Sequence, residues 1–135
     1  MATTSELKAL VNEFRSMIVP AHAPSPDCIS YKIEELVGEG MPLWDEKWNK
    51  KQGVYYFCKG EEVVYIGVAS TMRSGTLGAR VKHWFDQGGG EWLELINDPE
   101  TVVGLLVFNE KCFWALSLEG FLIERLRPRL NKRFK

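Results

Sequence analysis

The sequence predicts an α+β domain: a small three-stranded sheet flanked by helices, with an N-terminal helical extension in front of it. Three observations predict this class. Two β-rich runs, "GVYYFC" (53–58) and "VVYIGVA" (63–69), are joined by the short turn "KGEE". A third apolar run, "TVVGLLVF" (101–108), comes only after intervening helical patterns. The stretches between and around the runs repeat apolar residues at helical rather than strand spacing, so helices and strands are mixed along the chain.

The elements follow in order. "TSELKALVNEFRSMIV" is an amphipathic helix with Leu7, Leu10, Val11, Phe14, Met17 and Ile18 on one face, and Thr3 with Glu6 forms a capping box at its start. "PAHAPSP" (20–26) ends it as an extended linker. Residues 27–52 are less regular, and Trp44 and Trp48, four apart, fit one face of a short helix. Residues 1–52 are therefore read as an N-terminal helical extension and 53–135 as the main domain. The extension is expected to be separable, the competing expectation being that Leu7, Leu10, Phe14 and Ile18 pack onto the domain as extra core.

Within the main domain, "TLGARVKHWF" is a helix with Leu77, Val81 and Trp84 on one side. "GGGEW" breaks it and opens a short helix, "EWLELIN". The last long helix, "CFWALSLEGFLIERL", is stopped by Pro128.

Composition narrows the class. The chain has 135 residues, 45% apolar and 26% charged, which suits one soluble domain with a modest core. No apolar run is long enough to span a bilayer, and no basic region followed by an apolar block is expected to act as a signal peptide. Cys28, Cys58 and Cys112 are isolated and odd in number, which argues against a disulfide framework and for a reducing, cytoplasmic setting. Two histidines exclude a histidine-rich metal cluster or an HNH-type arrangement. Net charge is only −1, but residues 125–135 hold six basic and no acidic side chains. That tail (Arg125, Arg127, Arg129, Lys132, Arg133 and Lys135) is either a solvated face or an electrostatic footprint for a polyanion.

Four side chains stand out chemically. Glu119 has Ala115, Leu116, Leu122 and Ile123 one turn away, an apolar stripe on which a carboxylate either meets a cation or metal or reaches out to solvent. Gly120 beside it costs about 1 kcal/mol in a helix, a cost that close approach of another group would explain. Arg80 carries a guanidinium able to bind phosphate oxygens, with an exposed helix arginine as its plain alternative. Tyr55 and Tyr65 can meet across the hairpin, bracketed by Gly53 and Gly67.

In this order these residues resemble the GIY-YIG nuclease superfamily. Its two signatures match Gly53-Val54-Tyr55 and Tyr65-Ile66-Gly67, its catalytic arginine matches Arg80, its metal-binding glutamate matches Glu119, and its terminal asparagine matches Asn131 after Arg127 and Pro128. The resemblance covers about Gly53 to Arg133. It implies a three-stranded antiparallel sheet flanked by helices and metal-assisted hydrolysis of DNA phosphodiester bonds. Glu119 would hold one Mg²⁺ or Mn²⁺, Arg80 would stabilise transition-state charge, Tyr55 would orient or deprotonate the attacking water, and Tyr65 would complete the site.

There are two departures. Val68 stands where many members have lysine, and Trp84 stands where many have histidine or tyrosine. An indole donates a proton but accepts none. His83 is adjacent but turned about 100° away on an ideal helix, so Tyr55 is the expected proton acceptor. A nucleic-acid-binding module without cleavage, and a protein-interaction domain using the Trp44/Trp48 region, are the competing readings. The chain ends soon after Asn131, so no C-terminal DNA-binding domain is expected; specificity would come from residues 1–52, from a homodimer or from a protein partner.

Overall fold

In the computed structural model, residues 1–17, 26–36, 48–70, 76–87, 90–108 and 114–131 are described. The elements are α1 (Thr4–Met17), β1 (Asp27–Lys32), α2 (Ile33–Leu36), β2 (Gln52–Lys59), β3 (Glu62–Ala69), α3 (Leu77–Gln87), α4 (Glu91–Asn97), β4 (Thr101–Phe108) and α5 (Trp114–Leu126). The strands form one antiparallel sheet in the order β1-β4-β2-β3.

The sheet therefore has four strands where the sequence predicts three. The fourth is β1, from the stretch read as part of the helical extension, and it pairs along its whole length with β4. It escapes a sequence reading because it is a half-exposed edge strand. Only Ile29 and Tyr31 turn inward, and Asp27, Cys28, Ser30 and Lys32 are exposed.

The hairpin turn explains the glycine in "KGEE". Lys59 pairs with Glu62 and leaves a two-residue loop, Gly60-Glu61. Gly60 sits at φ 62, the left-handed conformation that the first loop position of a type II′ turn requires. Two residues further on, the ladder shifts: Cys58 pairs with Val63 but Phe57 pairs with Tyr65, so Val64 is an extra residue in β3.

The two sheet faces carry separate cores. One face presents Val54, Tyr56, Cys58, Ile66, Val68, Leu106 and Phe108 to α1 and α5. The other presents Tyr55, Phe57, Val64, Tyr65, Val103, Leu105 and Val107 to Trp48, α3 and α4.

Helix α1 begins with the expected capping box. Thr3 N–H donates to Glu6 Oε1 at 3.2 Å, and Glu6 N–H donates to Thr3 Oγ1 at 3.2 Å. Leu7, Val11 and Phe14 are buried, and Phe14 meets Phe121 of α5 at 5.4 Å. Each such side chain stabilises by about 1.5–3 kcal/mol relative to exposure. Met17 departs from the expected face and is 68% exposed, while Ile18 lies outside the described residues. Trp48 is fully buried at 0% exposure and packs 6.0 Å from Tyr31. It belongs to a turn rather than a helix and is core, not an interaction surface; Trp44 lies outside the described residues.

The outer edge of β3 is covered. Val63 N–H donates to Ala2 O (2.7 Å) and Thr4 N–H to Glu61 O (3.0 Å) at one end, and Leu130 N–H donates to Val64 O (3.0 Å) further along. A sheet edge left bare would invite pairing with other chains.

Candidate active site

Tyr55 of β2 lies directly opposite Gly67 of β3. A Cβ at Gly67 would fall on the Tyr55 ring, so only glycine lets the phenol lie flat across the neighbouring strand. The same device recurs on the other face, where Tyr56 lies over Gly104 of β4. Gly53, two residues before Tyr55, is buried and paired with both Ala69 and Val107.

The β3 bulge decides where Tyr65 points. Directly paired residues share a face, so an unbroken ladder from Lys59–Glu62 would set Tyr65 against Tyr56. With Val64 inserted, Tyr65 pairs with Phe57 and turns to the Tyr55 face. The two phenol rings then lie 6.1 Å apart.

Helix α3 closes over this face. Its first N–H groups are satisfied by the preceding chain: Leu77 donates to Lys51 O (2.8 Å), Gly78 to Asn49 O (2.9 Å) and Arg80 to Thr76 O (3.0 Å). Thr76 caps it, accepting from Ala79 N–H at 3.2 Å. Leu77 and Val81 are buried and Trp84 half-buried, as the spacing predicts. Trp84 Nε1–H donates to the Tyr55 hydroxyl oxygen at 2.7 Å. His83 is exposed and turned off this line.

The Arg80 guanidinium faces Tyr55 and acts on its ionisation. Burial pushes the Tyr55 pKa above its usual value of 10.0, and this outweighs the opposing pull of the Trp84 hydrogen bond, the Arg80 charge and the Tyr65 hydroxyl. Arg80 favours the ionised phenol, but burial outweighs it, so Tyr55 as the expected proton acceptor holds its proton more tightly than a free tyrosine. Tyr55 is 0% exposed and Tyr65 8%.

Trp92 of α4 is a site neighbour that the sequence reading missed. It stacks on Trp84 at 4.3 Å with the rings 13° apart, and meets Tyr65 at 4.9 Å and Phe57 at 5.3 Å edge-on. The stacked indoles flank Tyr65 together, since Trp84 lies 5.1 Å from it. Nothing local to "GGGEWLELIN" signals this, because the contact is made across three elements.

Asn131 acts on the backbone of the second signature. Its side chain accepts from Ile66 N–H at 2.9 Å and donates to Ile66 O at 2.8 Å. Ile66 lies between Tyr65 and Gly67, so the clamp holds both in register at the sheet edge.

Glu119 is half-buried on α5, which packs Ala115, Leu118, Leu122 and Ile123 against the sheet face opposite Tyr55. Gly120 is exposed, and among the described residues nothing lies within 4 Å of where its Cβ would be, so none of them makes the close approach that would explain its cost. A carboxylate suits Mg²⁺, a hard cation that keeps several waters and uses one or two carboxylates. Among the described residues no three His, Cys, Asp or Glu side chains converge on a point.

The basic tail is partly engaged. Arg125 pairs with Glu13 at 3.5 Å and lies 4.7 Å over the Phe121 ring, and Arg129 pairs with Glu62 at 3.3 Å. These exposed pairs are worth little in water. Arg127 holds φ 47 as α5 ends, and no ion pair joins it to Glu124 among the described residues. Lys132 and Arg133 lie outside the described residues.

No family model matches the chain. Among curated proteins, it is 33% identical over 90 residues to UvrABC system protein C of Fervidobacterium nodosum, covering 67% of this chain and 15% of that protein. It is 40% identical over 81 residues to UvrABC system protein C of Anaeromyxobacter dehalogenans, covering 55% of this chain and 10% of that protein. The chain thus spans a small part of the length of both relatives. Among solved structures, the GIY-YIG N-terminal endonuclease domain of UvrC from Thermotoga maritima, bound to magnesium as its catalytic divalent cation, matches with a TM-score of 0.50 at 23% identity, over 70% of this chain and 99% of that one. A point mutant of the same domain also matches with a TM-score of 0.50, at 22% identity. In its motifs and in its fold, this chain resembles the GIY-YIG nuclease superfamily, in the form taken by the UvrC N-terminal endonuclease domain.

Proposed function

We propose that this chain is a metal-dependent DNA endonuclease, a hydrolase that nicks a phosphodiester strand. The observation that carries the reading is the convergence of Tyr55, Tyr65, Arg80 and Trp84 on one sheet face under α3. A guanidinium beside two phenols is suited to binding a phosphate and to orienting the water that attacks it.

The roles follow from placement. Arg80 binds two phosphate oxygens and stabilises charge that grows in the transition state. Tyr65, the less buried phenol, orients the water, and Tyr55 backs it from inside the sheet. Asn131 keeps the edge strand in place. Glu119, on the helix that packs the other sheet face, would hold Mg²⁺ or Mn²⁺, and the ion would supply Lewis-acid stabilisation of the phosphate and the leaving oxygen. Arg125, Arg127, Arg129, Lys132 and Arg133 contribute sequence-independent attraction to DNA. Among the described residues no helix is long and apolar enough to cross a membrane. A homodimer or protein partner would supply specificity.

One observation favours a second reading, a nucleic-acid-binding module that does not cleave. Position 84 carries a donor-only side chain, and the phenol it bonds is wholly buried with a raised pKa. Nicking of supercoiled plasmid in Mg²⁺ and Mn²⁺, run beside Glu119→Ala, separates the two. Nicking by the wild type that the variant loses, with binding retained, supports the endonuclease. Salt-dependent binding with no nicking by either supports the module.

A further inference from the structure

We propose that the cavity between α1 and the β1–β4 side of the sheet binds a small carboxylic acid with an apolar body. The cavity lies on the sheet face away from Tyr55, and the proposal does not depend on the endonuclease reading.

The gap has its origin in residue size. On this face β4 presents Leu106 and Gly104, and β1 presents their direct partners, Cys28 and Ser30. Gly104 has no side chain, and Cys28 and Ser30 are short, so the sheet is low here. From α1 come Leu7 and Val11, one turn apart, and beside them Lys8 and Asn12, also one turn apart. Together with Tyr56, Leu106 and Cys28 they enclose a cavity of about 330 Å³, at the small end of the range of roughly 300–1,000 Å³ for small-molecule sites.

Two polar groups in its lining lack partners. Tyr56 is 6% exposed, and its ring reaches from β2 across β4 until Cζ stands where a Gly104 Cβ would be. Its hydroxyl makes no hydrogen bond among the described residues. Burial pushes the Tyr56 pKa up to about 12, so the phenol stays a neutral donor at physiological pH. A buried hydroxyl without a partner is costly. Lys8 is the charged side chain of the lining and makes no ion pair among the described residues. It is exposed, and its flexible four-carbon stem lets the ammonium follow a bound anion.

These features select the ligand. Water would satisfy the phenol but would wet Leu7, Val11 and Leu106. A neutral apolar molecule would cover those three and leave the ammonium without a counter-charge. A carboxylate on an apolar chain accepts from Tyr56, meets Lys8 and covers the apolar walls.

The test uses the whole chain at neutral pH with ¹³C-methyl-labelled leucine and valine, titrated with sodium octanoate and separately with 1-octanol, both at millimolar concentrations. Octanoate is expected to shift the Leu7, Val11 and Leu106 methyl resonances saturably, with a Kd roughly tenfold below that of 1-octanol. It should also slow alkylation of the exposed Cys28 by iodoacetamide several-fold, read at that residue by mass spectrometry. Tyr56→Phe keeps the ring over Gly104 and should weaken octanoate on the order of tenfold. Lys8→Gln should weaken it several-fold and narrow its advantage over 1-octanol. Asn12→Trp, at an exposed position beside the cavity, should remove the protection of Cys28. Absence of a saturable shift with octanoate, or equal affinity for 1-octanol, overturns the proposal. So does a folded Tyr56→Phe protein that binds octanoate as the wild type does. If that variant does not fold, Lys8→Gln and Asn12→Trp, both at exposed helix positions, decide: octanoate binding unchanged in both places the ligand elsewhere and overturns it.

Discussion

Replacing Asn131 with alanine removes both hydrogen bonds that its side chain makes to Ile66, at 2.9 Å and 2.8 Å. Ile66 is fully buried and Asn131 is 5% exposed, so water does not easily replace the lost partners. A buried backbone group left without a partner costs about 1–3 kcal/mol, and two are created here. The expected loss is therefore roughly 2–6 kcal/mol, a large share of a total stability of about 5–15 kcal/mol. With an unfolding entropy near 2.1 cal/mol/K per residue, that loss in a chain of this size lowers Tm by roughly 7–21 °C.

Urea unfolding followed by circular dichroism should show a lower midpoint with an unchanged slope, because the surface exposed on unfolding is unchanged. Asn131→Asp gives a second, independent reading. It keeps an acceptor for Ile66 N–H but sets a carboxylate oxygen against Ile66 O. At neutral pH it should be at least as damaging as alanine. The gap to wild type should narrow near pH 3, where the protonated carboxyl can donate to that carbonyl. A loss below about 0.5 kcal/mol in the alanine variant would refute the reasoning, since solvent would then be satisfying both groups.

Two further outcomes follow from the structure. Burial pushes Cys58 from 9.0 up to about 12 and Tyr56 from 10.0 up to about 12, and raises Tyr55, so the unfolded chain releases these protons at lower pH than the folded one. Stability should then be full below about pH 8 and fall by several kcal/mol as pH rises toward 12, read as a falling urea midpoint; a flat midpoint to pH 11 would show that the three groups are not desolvated. A chain starting at Asn49 loses Leu7, Val11, Phe14, Ile33, Leu36 and Trp48 from the core, on the order of 9–18 kcal/mol of burial, and uncovers the β4 edge. It should be unfolded by circular dichroism, and a soluble, folded fragment with a cooperative melt would establish residues 1–48 as a separable extension.

The elements whose own periodicity is strong were legible without coordinates. "TVVGLLVF" and "EWLELIN" appear as β4 and α4 with the expected bounds, because each pattern is local and unbroken. The capping box of Thr3 and Glu6 is equally local, spanning one helical turn. The residues of the two signatures, Arg80 and Asn131 were recognisable as motifs through their order and their resemblance to a known family.

What those side chains do to one another was decided by the tertiary structure. β1 joined the sheet although its own sequence is too polar to announce a strand, since an edge position needs only one half-buried face. Trp92 reached Trp84 and Tyr65 through a contact between helices that no local pattern encodes. Counting residues from the hairpin turn would have put Tyr65 on the wrong face, against Tyr56. One inserted residue, Val64, reversed the alternation of the strand and brought the two phenols together, because in a structure of period two a single extra residue exchanges the faces of everything beyond it.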